Sequence, residues 1–229
     1  MRALTIVCFC LIFLMVPMES SSAEEEETAW REVIFPSPDE GTVSADLYGS
    51  GDQGVVLAHG RIFDKQSWRP LALRLEQEGL VVLSIDFRGY GTSQTGEQEG
   101  AFFNDVLGAI TYLHDAGVKK VSVIGGSMGG GAAARASVEA KAGDIDRLIL
   151  LSPVPIEHPE AIRADSILYV VSAEEGLFEA VKSQYEKAPE PKRLKILAGA
   201  AHAQHIFRTN LGPDLTELIV EFLTADEER

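Results

Sequence analysis

The chain has 229 residues, of which 45% are hydrophobic and 24% are charged, and its formal net charge at pH 7 is −15. This length and composition predict one folded domain with a sizeable core and exclude a tail or a low-complexity linker. An acidic surface of this strength repels phosphate backbones and anionic lipids, so we expect no nucleic-acid partner.

The first 23 residues have the three-part layout of a secretory signal peptide. Met1-Arg2 supplies a positive start, residues 3–16 form an apolar run, and Ser21-Ser22-Ala23 predicts cleavage after Ala23. The apolar run is shorter than the roughly 20 residues that span a bilayer, which disfavours the alternative of a retained anchor. We therefore expect a secreted or periplasmic protein with no stable membrane insertion after leader removal. Residues 24–30, rich in glutamate, are expected to be an acidic disordered lead-in.

Both cysteines, Cys8 and Cys10, lie inside this predicted leader. The rest of the chain therefore has no disulfide, no thiol nucleophile and no thiolate metal site. No His, Asp and Glu cluster has the spacing of a zinc protease. We expect no cofactor and no metal.

From residue 31 to residue 225, short β-rich runs alternate with helical stretches. Val33–Phe35 and Thr42–Tyr48 flank a turn that contains proline and glycine, which predicts an antiparallel hairpin. The later predicted strands are 55–58, 80–85, 121–124, 148–151, 167–171 and 194–197, and the predicted helices are 67–78, 101–116, 128–140, 177–187 and 215–223. Such alternation predicts a single α/β domain with a mostly parallel sheet of about eight strands and helices on both faces.

The strongest chemical signal is Gly125-Gly126-Ser127-Met128-Gly129, which follows a predicted strand and opens an alanine-rich helix. A sharp strand-to-helix turn exposes one side chain, and flanking glycines let the neighbouring backbones pass closely. The pattern predicts Ser127 as a nucleophile above a helix N-terminus. The alternatives are a glycine-rich helix start that only permits packing, or a phosphate loop, although the Gly-Lys-Ser/Thr of such a loop is absent.

A nucleophilic serine needs a base and an acid that orients the base. His202 follows the last predicted strand in a loop of small residues and is the preferred base, with His205 as the alternative. Glu175 follows the preceding strand and is the preferred acid, with Glu174 beside it and Glu157 further away as alternatives.

These motifs, together with His59-Gly60 and the run Asp86-Phe87-Arg88-Gly89-Tyr90-Gly91-Thr92-Ser93, resemble the α/β-hydrolase superfamily over residues 31–222. The resemblance implies the chain order nucleophile, acid, histidine, and an acid three residues beyond Ser172, which is Glu175. It also implies that the amides of Met128 and Arg61 form the oxyanion hole. In this sequence the acid is a glutamate where aspartate is commoner.

The connection from Ser152 to Asp165 is too short for a cap domain, so an open or shallow pocket is expected. A capless chain of this size resembles the small carboxylesterase and dienelactone-hydrolase-like branches, although the latter typically have a cysteine nucleophile. We expect a serine hydrolase that cleaves small carboxylic esters, with a monomer as the default state. A peptidase or amidase, and a non-catalytic ligand-binding homologue, are the alternatives.

For four further residues the sequence favours a structural role. His59 is expected to shape its loop, and Asp86 and Arg88 are expected to brace theirs. The amide of Arg61 is expected to matter more than its side chain, with binding of a substrate carboxylate as the alternative.

Overall fold

The computed structural model describes residues 30–225, so the predicted signal peptide and nearly all of the acidic lead-in lie outside the described residues. Eight strands run in chain order over β1 (Trp30–Pro36), β2 (Thr42–Tyr48), β3 (Gln53–Ala58), β4 (Val81–Ile85), β5 (Lys120–Gly126), β6 (Ile145–Leu151), β7 (Ala164–Ser172) and β8 (Lys192–Leu197). The α-helices are α1 (Arg69–Gln77), α2 (Phe102–Asp115), α3 (Met128–Glu139), α4 (Phe178–Lys187) and α5 (Gly212–Thr224).

The strands form one sheet in the order β1-β2-β4-β3-β5-β6-β7-β8. β1 pairs antiparallel with β2, and β2 pairs antiparallel with β4, whereas every pairing from β4 to β8 is parallel. The predicted hairpin and mostly parallel sheet are confirmed. Because parallel strands share one direction, the carboxyl ends of β3 to β8 meet at one edge, where loops of the chain converge.

Two apolar clusters cover the two faces of the sheet. One contains buried side chains of α2, α3 and α4, and the other contains buried side chains of α1 and α5. The central strands are buried on both faces, which explains their unbroken apolar runs in the sequence. Trp68 is a buried core residue of this second cluster, and its ring makes an edge-to-face contact with Phe207. Within residues 30–225, no helix combines the length and the apolar character needed to cross a bilayer.

Within residues 30–225, three 3-10 helices occur where the sequence predicted either a regular helix or a loop. Lys65–Trp68 precedes α1, because Asp64 caps this short turn and Pro70 occupies the first turn of the α-helix that follows. Pro159–Ala161 is the helical segment of the connection between β6 and β7, so this connection contains no cap domain. Ala203–Arg208 follows His202 directly, and the His205 N–H donates to His202 O at 3.0 Å.

Candidate active site

Ser127 lies at the turn between β5 and α3. Its backbone has φ 53° and ψ −112°, in the left-handed region that a non-glycine residue rarely adopts. The strain is held by hydrogen bonds on both sides, because the Ser127 N–H donates to Leu151 O at 2.9 Å and Ser127 O accepts from Val154 N at 3.0 Å. A strained residue fixed in this way keeps its hydroxyl above the N-terminus of α3.

The glycines around Ser127 are required by close contacts. A Cβ at Gly125 would overlap the backbone of Gly129, and a Cβ at Gly129 would overlap the carbonyls of Ala58 and His59. The spacing of two glycines around one serine therefore lets the start of α3 pass beside the end of β3. This contact also brings the Ser127 turn against the loop that contains Gly60 and Arg61.

The three predicted side chains Ser127, His202 and Glu175 are in contact. His202 Nε2 lies 2.8 Å from Ser127 Oγ, and His202 Nδ1 is hydrogen-bonded to Glu175 Oε2. The His202 side chain is 36% exposed while that of Glu175 is 2% exposed, so the imidazole is open to a ligand and the carboxyl is shielded. This arrangement can move a proton from the serine hydroxyl to an imidazole that a carboxylate orients.

Two serines that the sequence analysis did not select hold the other oxygen of Glu175. Glu175 Oε1 accepts from Ser152 Oγ at 2.5 Å and from the Ser172 N–H at 3.0 Å. Burial raises the pKa of Glu175, but the hydrogen bonds from His202, Ser152 and Ser172 outweigh it and leave the pKa below its ordinary value. Glu175 is therefore held as a carboxylate. Ser152 has φ 44°, a conformation that no local sequence pattern indicated.

The alternative residues lie elsewhere. Glu174 and Glu157 are exposed. The Glu174 N–H donates to Gly199 O at 2.9 Å. His205 packs on the ring of Phe63, with ring centroids 5.1 Å apart. The structure thus brings His202 and Glu175 to Ser127 and leaves these three alternatives out of the cluster.

His59 orients the loop that carries Gly60 and Arg61. The Phe87 N–H can only donate, so its contact of 3.2 Å with His59 Nε2 makes that nitrogen an acceptor and puts the ring proton on Nδ1. Nδ1 then donates to Gly60 O at 2.9 Å. Burial lowers the pKa of His59, which favours this neutral tautomer. His59 shapes its loop in the structure, as expected.

The orientation of the Gly60–Arg61 peptide follows from these bonds. Gly60 O accepts from His59 Nδ1 and from the Phe63 N–H at 3.0 Å, and the Tyr90 hydroxyl donates to Arg61 O at 2.7 Å. In a trans peptide the N–H points opposite to the C=O, so the Arg61 N–H points away from His59. The Met128 N–H is the first of α3 and has no intrahelical partner. The Arg61 side chain is exposed.

Asp86 and Arg88 brace loops, as expected. Asp86 Oδ1 accepts the Lys65 N–H at 2.8 Å just beyond the Gly60 loop. The buried Arg88 guanidinium pairs with Asp39 at 2.8 Å and Asp105 at 2.7 Å, and it holds the pKa of the Asp39 carboxyl well below its usual range. These ion pairs fix the loop that follows β4 onto α2.

A small cavity lies beside Met128. Its volume is about 260 Å³, and its apolar lining comes from Phe102, Phe103, Met128, Val154 and Ile156. Arg135 borders this cavity and forms a salt bridge with Glu139. Its guanidinium carbon lies 5.5 Å from the centroid of the Phe103 ring. A second cavity of about 530 Å³ lies between the Lys65–Trp68 turn and α5, with Gln204 in its lining.

Comparison with known sequences gives one family match and a partial relative. The family model Hydrolase_4, described as serine aminopeptidase S33, matches residues 49–173. This stretch contains the Gly60–Arg61 loop and Ser127 and ends before Glu175 and His202. A protein of Synechocystis sp. named "Putative non-heme chloroperoxidase" is 29% identical over 123 residues, which are 51% of this chain and 43% of that protein. The chain thus spans less than half the length of that relative.

Solved structures share the architecture. An esterase of Pyrococcus furiosus superposes with a TM-score of 0.70 at 20% identity, covering 85% of this chain and 91% of that one. An esterase from Exiguobacterium antarcticum gives a TM-score of 0.68 at 18% identity, covering 85% and 100%. At these identities the similarity shows the fold, and the predicted α/β-hydrolase fold is confirmed.

Proposed function

Because this chain belongs to the serine aminopeptidase S33 family of α/β hydrolases, we propose that it is a serine hydrolase that cleaves small carboxylic esters with Ser127, His202 and Glu175. The observation that carries the proposal is the continuous chain of hydrogen bonds from Ser127 Oγ through the His202 ring to Glu175. A packing role for the Gly125–Gly129 turn does not require this chain, whereas nucleophilic catalysis does.

The proposed reaction proceeds through an acyl-enzyme. Ser127 Oγ attacks the ester carbonyl while His202 Nε2 takes its proton, and Glu175 Oε2 stabilises the imidazolium through Nδ1. The Met128 and Arg61 amides donate to the oxygen that gains negative charge. The His202 proton then goes to the departing alcohol oxygen as its bond to the acyl carbon breaks. Water repeats the sequence, releasing the carboxylic acid and restoring Ser127.

The cavity beside Met128 supports a compact apolar acyl group as the part of the substrate that is recognised. Its volume of about 260 Å³ is below the range of about 300–1,000 Å³ that is usual for drug-sized ligands. It shares Met128 with the candidate oxyanion hole, so an acyl chain on Ser127 can extend into it.

The test is labelling of the protein with a fluorophosphonate probe, together with turnover of p-nitrophenyl acetate. We expect labelling and turnover in the parent and the loss of both in Ser127→Ala and His202→Ala. A folded parent that neither labels nor turns over the ester would refute the proposal and favour a non-catalytic ligand-binding protein.

The description of the matched family favours aminopeptidase activity as the second candidate. Ester and amide cleavage use the same groups, so the two differ in the substrate and not in the triad. Aminoacyl-p-nitroanilides with a free amino group distinguish them. A kcat/KM for such an anilide above that for p-nitrophenyl acetate would establish the peptidase and displace the esterase proposal.

A further inference from the structure

Gln204 is a buried side chain whose hydrogen bonds the proposed mechanism does not yet use. It is 5% exposed and lies two residues after His202, within the 3-10 helix Ala203–Arg208. Its Oε1 accepts the Gly60 N–H at 2.7 Å, across a separation of 144 residues in the sequence. The turn that presents the candidate base is thereby bonded to the loop that presents the Arg61 amide.

The orientation of the Gln204 carboxamide is determined by its partners. The Gly60 N–H can only donate, so the amide oxygen faces it and Nε2 faces the opposite way. Nε2 donates to Ser67 Oγ at 2.8 Å, and Ser67 Oγ in turn donates to the Asp64 carbonyl. Both ends of the carboxamide are therefore occupied, which leaves the side chain one orientation.

Gln204 packs closely against two glycines, and it also lines the cavity between the Lys65–Trp68 turn and α5. A Cβ at Gly126 would lie 3.3 Å from Gln204 Cγ, and a Cβ at Gly60 would lie 3.4 Å from Gln204 Oε1. Gln204 thus fills the space between the residue before Ser127 and the residue before Arg61. The two glycines permit this close approach, and a shorter or branched side chain at position 204 would not bridge the same groups.

We propose that Gln204 is a positioning residue that aligns the Gly60–Arg61 peptide with Ser127, so that the Arg61 amide donates to the oxyanion. His59 and Phe63 donate to the Gly60 carbonyl of this peptide. The Tyr90 hydroxyl donates to the Arg61 carbonyl, and Gln204 accepts the Gly60 N–H. With the flanking groups fixed, the Arg61 N–H has one direction available. The inference rests on the proposed hydrolysis, because only a reaction that forms an oxyanion uses this alignment.

The variant Gln204→Met keeps the length and packing of the side chain and removes its acceptor and donor. We expect kcat for p-nitrophenyl acetate to fall about tenfold to a hundredfold with KM changed less than about threefold, since a misaligned donor acts in the transition state. A trifluoromethyl ketone, which forms a tetrahedral adduct with the serine, should lose affinity by the same factor as kcat/KM.

Ser137→Ala is the matched control. Ser137 is fully buried and its Oγ accepts a backbone N–H from Arg163 at 3.0 Å, but it lies near the C-terminal end of α3 and lines neither cavity. This variant loses a comparable buried hydrogen bond and should keep kcat for the acetyl ester within about twofold. If Gln204→Met does not fold, Gln204→Asn provides the same test, because it is one methylene too short to bridge Gly60 and Ser67.

The outcomes separate the two proposals. An active parent whose folded Gln204→Met variant retains full kcat and full affinity for the ketone overturns the role of Gln204 alone. An equal loss of kcat in Ser137→Ala would show a general effect of destabilisation and would also overturn it. A parent with no Ser127-dependent turnover overturns the proposed function and, with it, this inference.

Discussion

Replacing Glu175 by glutamine tests the candidate triad most directly, because the surroundings of the carboxylate leave the amide one orientation. Oε1 receives two donors, from Ser152 Oγ and the Ser172 N–H, and the Ser172 N–H cannot reverse its role. The glutamine oxygen must therefore take that position and its NH₂ group must face His202 Nδ1. Nδ1 then has to accept, which puts the ring proton on Nε2, and Nε2 can no longer take the proton of Ser127.

A histidine held in the wrong tautomer costs about 10⁴-fold in kcat, equivalent to about 5.5 kcal/mol of transition-state stabilisation. We expect that loss for Glu175→Gln in p-nitrophenyl acetate hydrolysis, with circular dichroism showing an intact fold. Glu174→Gln is the control, since the neighbouring glutamate is exposed and should be replaceable without loss. A Glu175→Gln enzyme within tenfold of the parent, or an inactive Glu174→Gln, would refute the assignment of the acid.

Three further predictions follow from the same site. Ser152→Ala removes a donor to Glu175 and leaves the buried Ala203 N–H without its acceptor. Urea denaturation should therefore show the free energy of unfolding reduced by about 1.5–3 kcal/mol, and an unchanged midpoint would contradict this. Because the folded-state pKa of Glu175 lies below the unfolded value of about 4.3, its stabilisation is fully present above that pH and is lost as the pH falls through the folded-state pKa. The unfolding free energy of the parent should therefore decrease more steeply below pH 4.3 than that of Glu175→Gln, and parallel curves would count against it. Val154 is 44% exposed at the rim of the cavity beside Met128, so Val154→Phe should lower the ratio of kcat/KM for a hexanoate ester to that for acetate about tenfold, and Val154→Ala should raise this ratio. The same ratio in both variants and the parent would exclude this cavity as the acyl site.

The sequence alone was sufficient for features whose physical cause is local. Apolar runs without alternation indicated strands buried on both faces, and the glycines around Ser127 indicated a turn where backbones meet closely. Because each of Ser127, Glu175 and His202 follows a predicted strand, the sequence predicts that they lie at one edge of the sheet. Their contacts agree with that placement, and the residues themselves had left Glu174 and His205 open as less favoured alternatives.

The tertiary structure brings His202 and Glu175 into hydrogen-bonding contact with Ser127 and places His205 against Phe63, and it reveals residues that hold this arrangement. Ser152 and Gln204 act through bonds to residues 23 and 144 positions away, and no periodicity or motif reports contacts of that range. The tautomer of His59 likewise depends on a backbone amide from the next strand-end loop, at Phe87. Sequence patterns encode which side chains reach the edge of the sheet, whereas their orientation depends on which distant donors and acceptors the fold packs beside them.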